Sequence, residues 1–338
     1  MTKHPVIAVA CARAWSSRLP GKVLHEVDGV SLLVRILHRV ERILPGGVRI
    51  VVSTTTLPVD DQVAGLATAE GYAVSRGHPT NVSEQFAKAV EQYGRGCRYV
   101  LRVMTDQPFL DWEAAAESVA ILDERGWDLV LPLTFAEEPV YGAGVSAWSR
   151  HAWDTCYARA GDDPRYAEHP GLWFRANLPT LNFGLRELPH WCYRPYRLEV
   201  DEWTDLDMVK AVHAVLGNEP PLGKVVRWLD SNPQVVGVNA AVEERTSPTR
   251  SLGRDTVAGW RRDYAGREVV WSGVADLVGY LHGGSGDRRT RPYRCPRCRG
   301  VLVATEVLHR RAGGGDLRLV CAGCKTERIF YAERPGRV

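Results

Sequence analysis

The chain has 338 residues, of which 45% are hydrophobic and 25% are charged, and its formal net charge is +3. This composition is ordinary for a globular protein and excludes a wholly disordered chain, a collagen-like chain and a bare coiled coil. The length accommodates two domains, or one α/β domain with a small module attached.

Hydrophobic segments are too short for the chain to span a membrane. It contains no run of about 18 uncharged apolar residues, which is what a membrane-spanning helix requires. The apolar stretch near the start of the chain is short and is broken by Arg13 and Arg18, unlike the core of a signal peptide. We therefore expect a cytoplasmic protein.

Charge is distributed unevenly along the chain. Residues 246–338 hold 18 Lys and Arg against 9 Asp and Glu, whereas residues 1–245 hold 25 against 31. A mildly acidic body therefore carries a basic tail. A solvated surface is the simplest interpretation of this tail, and contact with nucleic acid, anionic lipid or an acidic partner is the alternative.

The first 108 residues alternate short apolar runs with amphipathic segments. The apolar runs predict strands at 6–10, 49–54, 72–74 and 99–103. Apolar residues at helical spacing predict helices at 31–40, 60–70 and 82–93. Strands that alternate with helices in this way favour parallel βαβ units.

Polar residues follow two of these predicted strands. A loop with three cations, residues 13–22, follows the first strand, and Asp106 follows the fourth. In open parallel sheets, ligands bind beyond the carboxyl ends of the strands. We therefore expect this loop and Asp106 to share one site.

The rest of the chain is less regular. Further strands are predicted at 129–133, 144–148 and 197–201, and a further helix at 204–216. Residues 160–195 are rich in Pro, Trp and Tyr and are expected to be irregular, as in a lid or a dimer arm. A linker is expected from residue 247, with partly helical structure over 254–281 and a glycine-rich hinge at 283–286.

The loop at residues 12–22 concentrates cations and hydroxyl groups. Arg13, Arg18 and Lys22 supply the charge, and Ser16 and Ser17 supply the hydroxyls. Such a loop can surround a polyphosphate with cationic side chains and backbone N–H groups. It lacks the spacing of a Walker A loop and that of a dinucleotide-binding fingerprint. A basic surface loop is the alternative interpretation.

The segment CARAWSSRLPGKVL at 11–24 resembles the signature of the cytidylyltransferases that make CMP-activated sugars. Within that family it is most similar to the spore-coat-polysaccharide type, which is related to CMP-Kdo and CMP-sialate synthetases. Further stretches that occur in the family's order are TTTxPxDD at 54–61, RG at 76–77, RVMTDQPFLD at 102–111, Glu168-His169, VDxxTDL at 200–206 and Asn232-Pro233. The resemblance covers residues 5–246.

The resemblance implies a fold and a reaction. The fold is a GT-A-like (Rossmann-like) α/β fold, with a mostly parallel mixed sheet and helices on both faces. The reaction is transfer of CMP from CTP to a sugar, a sugar acid or a related acceptor, with release of pyrophosphate. A homodimeric enzyme of glycan or secondary-metabolite biosynthesis is therefore expected.

The same resemblance assigns roles to individual residues. The residues with implied catalytic roles are Arg13, Arg18, Lys22, Asp106 and Asp201. The implied nucleotide-binding positions are Ala10, Ala12, Arg13, Ser17, Lys22, Thr54, Arg76 and Arg102. The cations would hold the triphosphate of CTP, and Glu168 and His169 would lie over the acceptor.

Asp106 and Asp201 are the magnesium ligands that the resemblance implies. Mg²⁺ prefers hard oxygen ligands and often takes one or two carboxylates together with phosphate oxygens. The metal would neutralise the α-phosphate while a hydroxyl of the acceptor attacks in line. Taken singly, either aspartate could instead be a helix N-cap.

The eight cysteines fall into two groups. Those scattered in or near apolar runs, as small buried hydrophobic residues are, are Cys11, Cys97, Cys156 and Cys192. Those that form two Cys-x-x-Cys pairs separated by 22 residues are Cys295, Cys298, Cys321 and Cys324. This spacing suits four thiolates around a zinc ion. A pair of disulfides is the alternative, and it would need an oxidising compartment.

The second cysteine group also resembles a small zinc-ribbon family whose members pair with methyltransferases. The likeness lies in CPRCRGVL at 295–302, VCAGC at 320–324 and Phe330-Tyr331. In so small a module the metal supplies folding energy, so we expect structural zinc, in a module that either docks a protein partner or caps the dimer. The expected domains are a nucleotidyltransferase domain at 1–246, a partly helical linker at 247–290 and the zinc ribbon at 291–338.

Two other functions fit parts of the sequence. A sugar transferase of the same fold usually needs an Asp-x-Asp metal motif, which Asp205-Leu206-Asp207 spells at the start of a predicted helix. A non-catalytic, partner-binding protein would instead depend on the ribbon and the basic tail. On the enzyme interpretation, no membrane or nucleic-acid partner is expected.

Overall fold

The computed structural model describes most of the first 242 residues and several strand segments beyond them. The described residues are 6–132, 140–177, 181, 183–186, 188–192, 194–242, 259–262, 268–271, 302–309, 315–321 and 327–331. Residues 283–286, Cys295, Cys298 and Cys324 lie outside this set.

The strands and helices are numbered here in chain order. The strands are β1 (Val6–Cys11), β2 (Glu26–Val27), β3 (Val30–Ser31), β4 (Val48–Thr55), β5 (Ala73–Gly77), β6 (Tyr99–Met104), β7 (Leu129–Pro132), β8 (Ser146–Ser149), β9 (Phe183–Arg186), β10 (Gly259–Arg262), β11 (Glu268–Trp271), β12 (Leu302–His309), β13 (Gly315–Cys321) and β14 (Glu327–Tyr331). The helices are α1 (Leu32–Glu41), α2 (Asp61–Ala69), α3 (Val82–Tyr93), α4 (Trp112–Arg125), α5 (Arg150–Ala160), α6 (Leu172–Asn177), α7 (Trp203–Leu216), α8 (Leu222–Asp230) and α9 (Pro233–Val236). Among the described helices, none combines the length and the apolarity needed to cross a membrane.

The chain divides into two compact units. The segments of the first unit are Met1–Gly126, Pro139–Pro170 and Pro189–Arg245. The segments of the second unit are Trp127–Glu138, Gly171–Leu188 and Thr246–Val338. The second unit therefore combines the C-terminal part of the chain with two segments from its middle.

A mixed β-sheet forms the centre of the first unit. Strand β1 lies between β4 and β6 and is parallel to both, and β5 is parallel to β4. Strand β8 pairs with β6 in the antiparallel direction. Residues 6–10 are wholly buried because β1 is central and helices cover a parallel sheet on both faces. The predicted βαβ order is confirmed, with the bounds of each element shifted by at most three residues.

Polar side chains mark where the helices of this unit begin. Ser31 caps α1, Asn81 caps α3 and Asp111 caps α4, each by accepting a hydrogen bond from a backbone N–H in the first turn. These side chains satisfy donors that the helix itself leaves unpaired. Each helix therefore starts at a fixed residue, which also fixes the loop that precedes it.

A hydrophobic cluster supports the carboxyl edge of the sheet. Leu19 from the loop after β1, Phe109 from the loop after β6, and Leu198 and Val200 are all buried in it, together with apolar residues of α7 and α8. Burial of apolar surface is the main favourable contribution to folding. This shared core therefore holds three separate stretches of chain next to one another.

The second unit is also built on β-strands. Strands β7 and β9 are parallel, and a single residue pair, Glu306 with Gly184, joins β12 to β9 in the antiparallel direction. Strands β12, β13 and β14 follow one another as an antiparallel meander. Strands β10 and β11 form a separate antiparallel pair.

One expectation about local structure is wrong. Residues 160–195 contain helix α6 and strand β9 and so are not irregular throughout. Within the stretch 254–281, predicted to be helical in part, the described residues form strands β10 and β11. Residues 269–271, Val-Val-Trp, are β-branched and aromatic, which favours strands over helices.

The scattered cysteines behave as predicted. Cys97, Cys156 and Cys192 are buried, and within the described part of the chain none of the four scattered cysteines forms a disulfide. Burial raises the pKa of the Cys11 thiol to about 11. A thiol with so high a pKa is a poor nucleophile, which supports a packing role for this residue.

Candidate active site

The loop that follows β1, here called the cationic loop (residues 12–22), is anchored by hydrogen bonds at both ends. The Ala12 N–H donates to the Ser53 carbonyl over 2.9 Å, and the Ala14 N–H donates to Oδ1 of buried Asp60 over 2.6 Å. The Gly21 N–H donates back to the Ala14 carbonyl over 2.8 Å. Gly21 has φ +68°, a left-handed conformation that favours glycine.

Thr105, the residue before Asp106, holds Asp106 next to the cationic loop. Thr105 donates from Oγ1 to the Cys11 carbonyl at the end of β1, over 2.8 Å. This bond ties the end of β6 to the start of the cationic loop. The predicted meeting of the loop and Asp106 beyond the carboxyl ends of adjacent parallel strands is therefore confirmed.

Two cations of the loop bind the two predicted metal aspartates. Lys22 Nζ lies 2.8 Å from Asp106 Oδ2 and 3.0 Å from Asp201 Oδ1. Arg18 Nη2 lies 2.6 Å from Asp201 Oδ2. Burial lowers the pKa of Lys22, but the two neighbouring carboxylates outweigh burial and raise the pKa overall. Lys22 therefore stays charged between the aspartates.

The segment that carries Asp201 is extended but is not a strand. Its Val200 N–H donates to the Asp106 carbonyl and its Leu198 N–H donates to the Tyr141 carbonyl, each over 2.8 Å. Only an isolated bridge joins Tyr141 to Arg197, so the predicted strand at 197–201 is wrong. The partners on its two sides are loops that run alongside for only one or two residues, so no continuous ladder forms.

A buried network behind Asp201 fixes the position of its carboxylate. Arg197 donates from Nη2 to Asp201 Oδ2 over 2.8 Å and from Nε to Asp205 Oδ1 over 3.0 Å. Asp205 also accepts from the Asp201 and Glu202 N–H groups and from Asn239 Nδ2. Because it accepts from the N–H of the N-cap residue Glu202, Asp205 is part of the capping box of α7. Both oxygens of its carboxylate are hydrogen-bonded to protein groups.

The Asp205 network and the helix caps disfavour two alternative interpretations of the aspartates. The carboxylate of Asp205 is engaged by protein groups and that of Asp207 is exposed, which disfavours a metal motif at Asp205-Leu206-Asp207. The N-cap residues of α4 and α7 are Asp111 and Glu202, so neither Asp106 nor Asp201 has that structural role.

Glu199 is a third carboxylate at this site, which the sequence-based prediction missed. One oxygen from each of Asp106, Glu199 and Asp201 can be chosen so that all three lie within 4.8 Å of one another. Burial, together with the charges of Asp106 and Asp201, raises the pKa of Glu199 to about 8. The signal in the sequence is the spacing of two between Glu199 and Asp201, which places both side chains on one side of an extended segment.

The donor set fits a divalent metal ion. Oδ1 of Asp106 is buried and has no hydrogen-bond partner among the described residues. A buried oxygen without a partner is unfavourable unless a ligand satisfies it. Three carboxylates provide the hard oxygen atoms that Mg²⁺ and Mn²⁺ prefer.

The predicted nucleotide-binding residues lie along the same edge of the sheet. Ala10 and Ala12 are buried at the end of β1, Ser17 is exposed on the cationic loop, and Arg102 is half-buried in β6. Thr54 is wholly buried in β4, and its Oγ1 has no hydrogen-bond partner within the described chain.

Two predicted cations have protein contacts elsewhere. Arg76 donates to the Thr55 and Leu57 carbonyls and pairs with Asp61 over 2.6 Å, so it braces the turn after β4. The guanidinium of Arg13 lies 5.8 Å from the ring of exposed Trp15. Arg13 makes no ion pair with any other described residue.

The predicted acceptor residues lie on a turn held against the start of α3. Ser83 donates from its N–H to the Ala167 carbonyl over 2.9 Å and from Oγ to the Tyr166 carbonyl over 2.6 Å. Glu168 is exposed and His169 is half-buried. Of the predicted zinc ligands, only Cys321, the last residue of β13, lies within the described residues.

Comparison with known proteins gives consistent matches. The sequence profile of the family described as Cytidylyltransferase matches residues 7–211. The chain is 27% identical over 236 residues to the Spore coat polysaccharide biosynthesis protein SpsF of Bacillus subtilis, an alignment that covers 68% of this chain and 96% of that protein. It is 31% identical over 143 residues to the 3-deoxy-manno-octulosonate cytidylyltransferase of Porphyromonas gingivalis, covering 42% of this chain and 52% of that protein.

A solved structure shares the fold. The structure of a cytidylyltransferase from Leptospira borgpetersenii superposes with a TM-score of 0.61 at 20% sequence identity. The superposition covers 72% of this chain and 100% of that chain. The chain therefore shares the α/β fold with a mixed sheet of this solved structure.

Proposed function

The chain belongs to the cytidylyltransferase family, and from this premise we propose that it transfers CMP from CTP to a sugar acid or related sugar, releasing pyrophosphate. One observation carries the proposal: Lys22 bridges Asp106 and Asp201 while Arg18 binds Asp201. Cations suited to a phosphate and carboxylates suited to a metal ion therefore lie together at one point, which supports nucleotidyl transfer. We assign this chemistry to a GT-A-like version of the α/β fold.

The cationic loop is proposed to hold the triphosphate. Arg13, Arg18 and Lys22 provide three positive charges, and the N–H groups of Ser16 and Ser17 have no hydrogen-bond partner among the described residues. Backbone N–H groups and cationic side chains together form the usual environment for a bound phosphate. Arg18 and Lys22 would leave the aspartates and pair with the phosphates instead.

Asp106 and Asp201 are proposed to hold Mg²⁺ when CTP is bound. The unpartnered Oδ1 of Asp106 supports this assignment. The ion would supply charge neutralisation at the α-phosphate. The protein groups contribute by positioning: Arg197 and Asp205 fix Asp201, and the Val200 N–H fixes its segment against Asp106. Catalysis would then depend mainly on orientation and electrostatics.

The nucleoside is proposed to lie on the edge of the sheet next to the loop. Residues proposed to contact it are Ala10, Ala12, Ser17, Thr54, Arg76 and Arg102. Support comes from their common position at or near the carboxyl ends of β1, β4, β5 and β6.

The acceptor is proposed to approach from the turn that carries Glu168 and His169. The hydrogen bonds from Ser83 hold this turn at the start of α3, which follows β5 at the same edge of the sheet. The names of the relatives, a spore coat polysaccharide protein and a 3-deoxy-manno-octulosonate cytidylyltransferase, support a sugar acid or similar sugar for glycan synthesis.

Structural zinc, a homodimer, a cytoplasmic location and a protein partner for the ribbon remain part of the proposal. The support for zinc is the Cys-x-x-Cys spacing, with Cys321 at the end of one strand of an antiparallel meander. An ion ligated by four thiolates has no open position for a substrate, so its role would be structural.

The experiment is a pyrophosphate-release screen of the purified protein with Mg²⁺. Each of ATP, CTP, GTP and UTP is combined with a panel of sugar acids, sugars and phosphonates. We expect release with CTP and at least one sugar-type acceptor, and none without acceptor. Consumption of a nucleotide sugar, with no pyrophosphate from any pair, would contradict the proposal and favour a sugar transferase.

A further inference from the structure

The oxygen atoms of the three carboxylates differ in whether a cation already occupies them. Both oxygens of Asp201 are taken, Oδ1 by Lys22 and Oδ2 by Arg18 and Arg197. Oδ2 of Asp106 is also taken by Lys22, at 2.8 Å. Oδ1 of Asp106 has no partner among the described residues. In the nucleotide-free protein, Asp201 is therefore closed to a metal ion and Asp106 is half open.

Of the three carboxylates, Glu199 is the one that no described cation pairs with directly, although the charge of Lys22 acts on it from farther away. Its side chain accepts a hydrogen bond from Tyr141. One carboxylate oxygen of Glu199 lies within 4.8 Å of one carboxylate oxygen of Asp106 and of one of Asp201. Three acidic groups this close repel one another, and the single charge of Lys22 between Asp106 and Asp201 offsets only part of that repulsion.

The backbone holds Glu199 at this position. The Leu198 and Val200 side chains point into the core, so Glu199 between them points to the opposite side, as Asp201 does. On the other side of the segment, Gly142 has φ +83°, and a Cβ there would lie 2.4 Å from the Glu199 backbone nitrogen. Glu199 is therefore clamped between the Gly142 backbone and the Asp106 carbonyl that accepts from Val200.

We propose that Glu199 is a third ligand of the divalent metal, which first binds between Glu199 and Oδ1 of Asp106. This inference rests on the proposed function, because it assumes the metal that nucleotidyl transfer needs. Asp201 becomes available only when the triphosphate attracts Arg18 and Lys22 away from it. Metal and CTP consequently bind with positive coupling, each strengthening the other by the same factor.

The test measures Mn²⁺ affinity of the full chain by electron paramagnetic resonance, with and without a non-reactive α,β-methylene analogue of CTP. Mn²⁺ is suitable because it prefers oxygen ligands and so avoids the cysteine module. The Glu199→Gln variant keeps the side-chain shape and removes the charge, and Asp106→Asn is the reference for a lost ligand. Asp207→Asn is the matched control, since Asp207 is exposed on α7.

We expect Glu199→Gln to weaken Mn²⁺ binding about tenfold or more both with and without the analogue, because each carboxylate ligand adds charge to the site. Glu199→Asp should give an intermediate loss, and Asp207→Asn should stay within about twofold of the wild type, as an exposed charge does. If Glu199→Gln binds Mn²⁺ like the wild type while Asp106→Asn does not, Glu199 is no ligand and the inference is overturned.

Failure of this inference can be told apart from failure of the proposed function. Pyrophosphate release from CTP is measured on the same wild-type preparation. Turnover together with unchanged Mn²⁺ affinity in Glu199→Gln rejects the third ligand alone. Absence of turnover with every nucleotide rejects the proposed function, and the role of Glu199 is then decided by the Mn²⁺ affinities alone.

Discussion

At the scale of single residues, the site is a balance of buried and half-buried charges. Four carboxylates (Asp106, Glu199, Asp201 and Asp205) meet three cations (Arg18, Lys22 and Arg197). Charges in partly buried surroundings are costly unless they are paired. Lys22 and Arg18 therefore neutralise the aspartates when no ligand is present, and a metal ion on the carboxylates with a triphosphate on the cations can replace that pairing.

Asp106 gives the sharpest prediction at this scale. Replacing it with Asn keeps the size of the side chain but removes the charge that would hold the metal and that pairs with Lys22. We expect turnover of CTP to fall about a hundredfold or more, as when one preorganised electrostatic group is lost. Steady-state pyrophosphate release measures this, and far-ultraviolet circular dichroism should show an unchanged fold.

The control for this variant is Asp207→Asn, which removes an exposed carboxylate of α7. Its turnover should match the wild type. Activity of Asp106→Asn above about a tenth of the wild-type value would be incompatible with a metal-binding role, since the electrostatic contribution would then be small.

Much of the candidate site could be predicted from the sequence because its residues directly follow predicted strands. Arg18, Lys22 and Asp106 follow apolar runs that are strands, and parallel strands bring such ends together. Glu199 and Arg197 were not predicted as site residues. Their role depends on the conformation of the segment before α7, where contacts with Tyr141 and Asp106 replace a regular strand. No local sequence pattern specifies those contacts.

At the scale of elements, α7 links the core of the first unit to the site. Its first turn carries Asp205, which caps the helix and fixes Asp201. Its last turn carries His213, which is buried against the ring of Phe109 at a centroid distance of 5.4 Å. Arg35 of α1 approaches His213 Nδ1 to 3.4 Å, and that ring nitrogen also lies 3.1 Å from the Gly217 carbonyl.

His213 makes the stability of the first unit sensitive to acid. Burial and the nearby charges of Arg35 and Arg39 lower the pKa of His213 to about 4. An unfolded chain takes up this proton near pH 6.5, so between about pH 6.5 and 4 the unfolded state binds more protons than the folded state. The free energy of unfolding therefore falls as the pH falls through that window.

We expect this residue to lower the free energy of unfolding by about 1–2 kcal/mol between pH 7 and pH 5. Urea unfolding of the wild type and of His213→Gln at both pH values isolates the contribution. The wild type should lose more stability on acidification than the variant does. Equal losses in the two proteins would mean that folding does not shift the pKa of His213, which would contradict this prediction.

Helices could be predicted from the sequence where apolar residues recur regularly at helical spacing. Helix α3 was predicted at its observed bounds, because its apolar residues recur at helical spacing and Asn81 caps it. Strands β9, β10 and β11 were among the elements that were not predicted. They are only four residues long, and so short a run fits several structures until a neighbouring strand pairs with it.

At the scale of the whole molecule, residues 1–245 are mildly acidic and residues 246–338 are basic. The basic residues 246–338 belong to the second unit, together with segments 127–138 and 171–188. The sequence suggested a boundary near residue 246 because composition changes there. It carried no signal for the contribution of the two middle segments, since that arises from pairing between distant strands such as β9 and β12.

The cysteine pairs give the prediction for this part of the chain. We expect the purified full-length protein to contain zinc, because two Cys-x-x-Cys pairs provide four thiolates. Cys321→Ser should release the zinc, as measured by inductively coupled plasma mass spectrometry, with turnover of CTP retained. The matched control is Cys97→Ser, a free buried cysteine outside the pairs. Wild-type protein without zinc would refute a zinc ribbon.

The central claim is that the cationic loop and two distant acids bind one metal–CTP complex. The most direct measurement is a crystal structure of the full chain with Mn²⁺ and the α,β-methylene analogue of CTP, using anomalous scattering to locate the metal. We predict an anomalous peak beside the carboxylates of Asp106 and Asp201, with the phosphates contacting Arg18 and Lys22. Phosphates bound elsewhere, with Lys22 still bridging the two aspartates, would contradict the account.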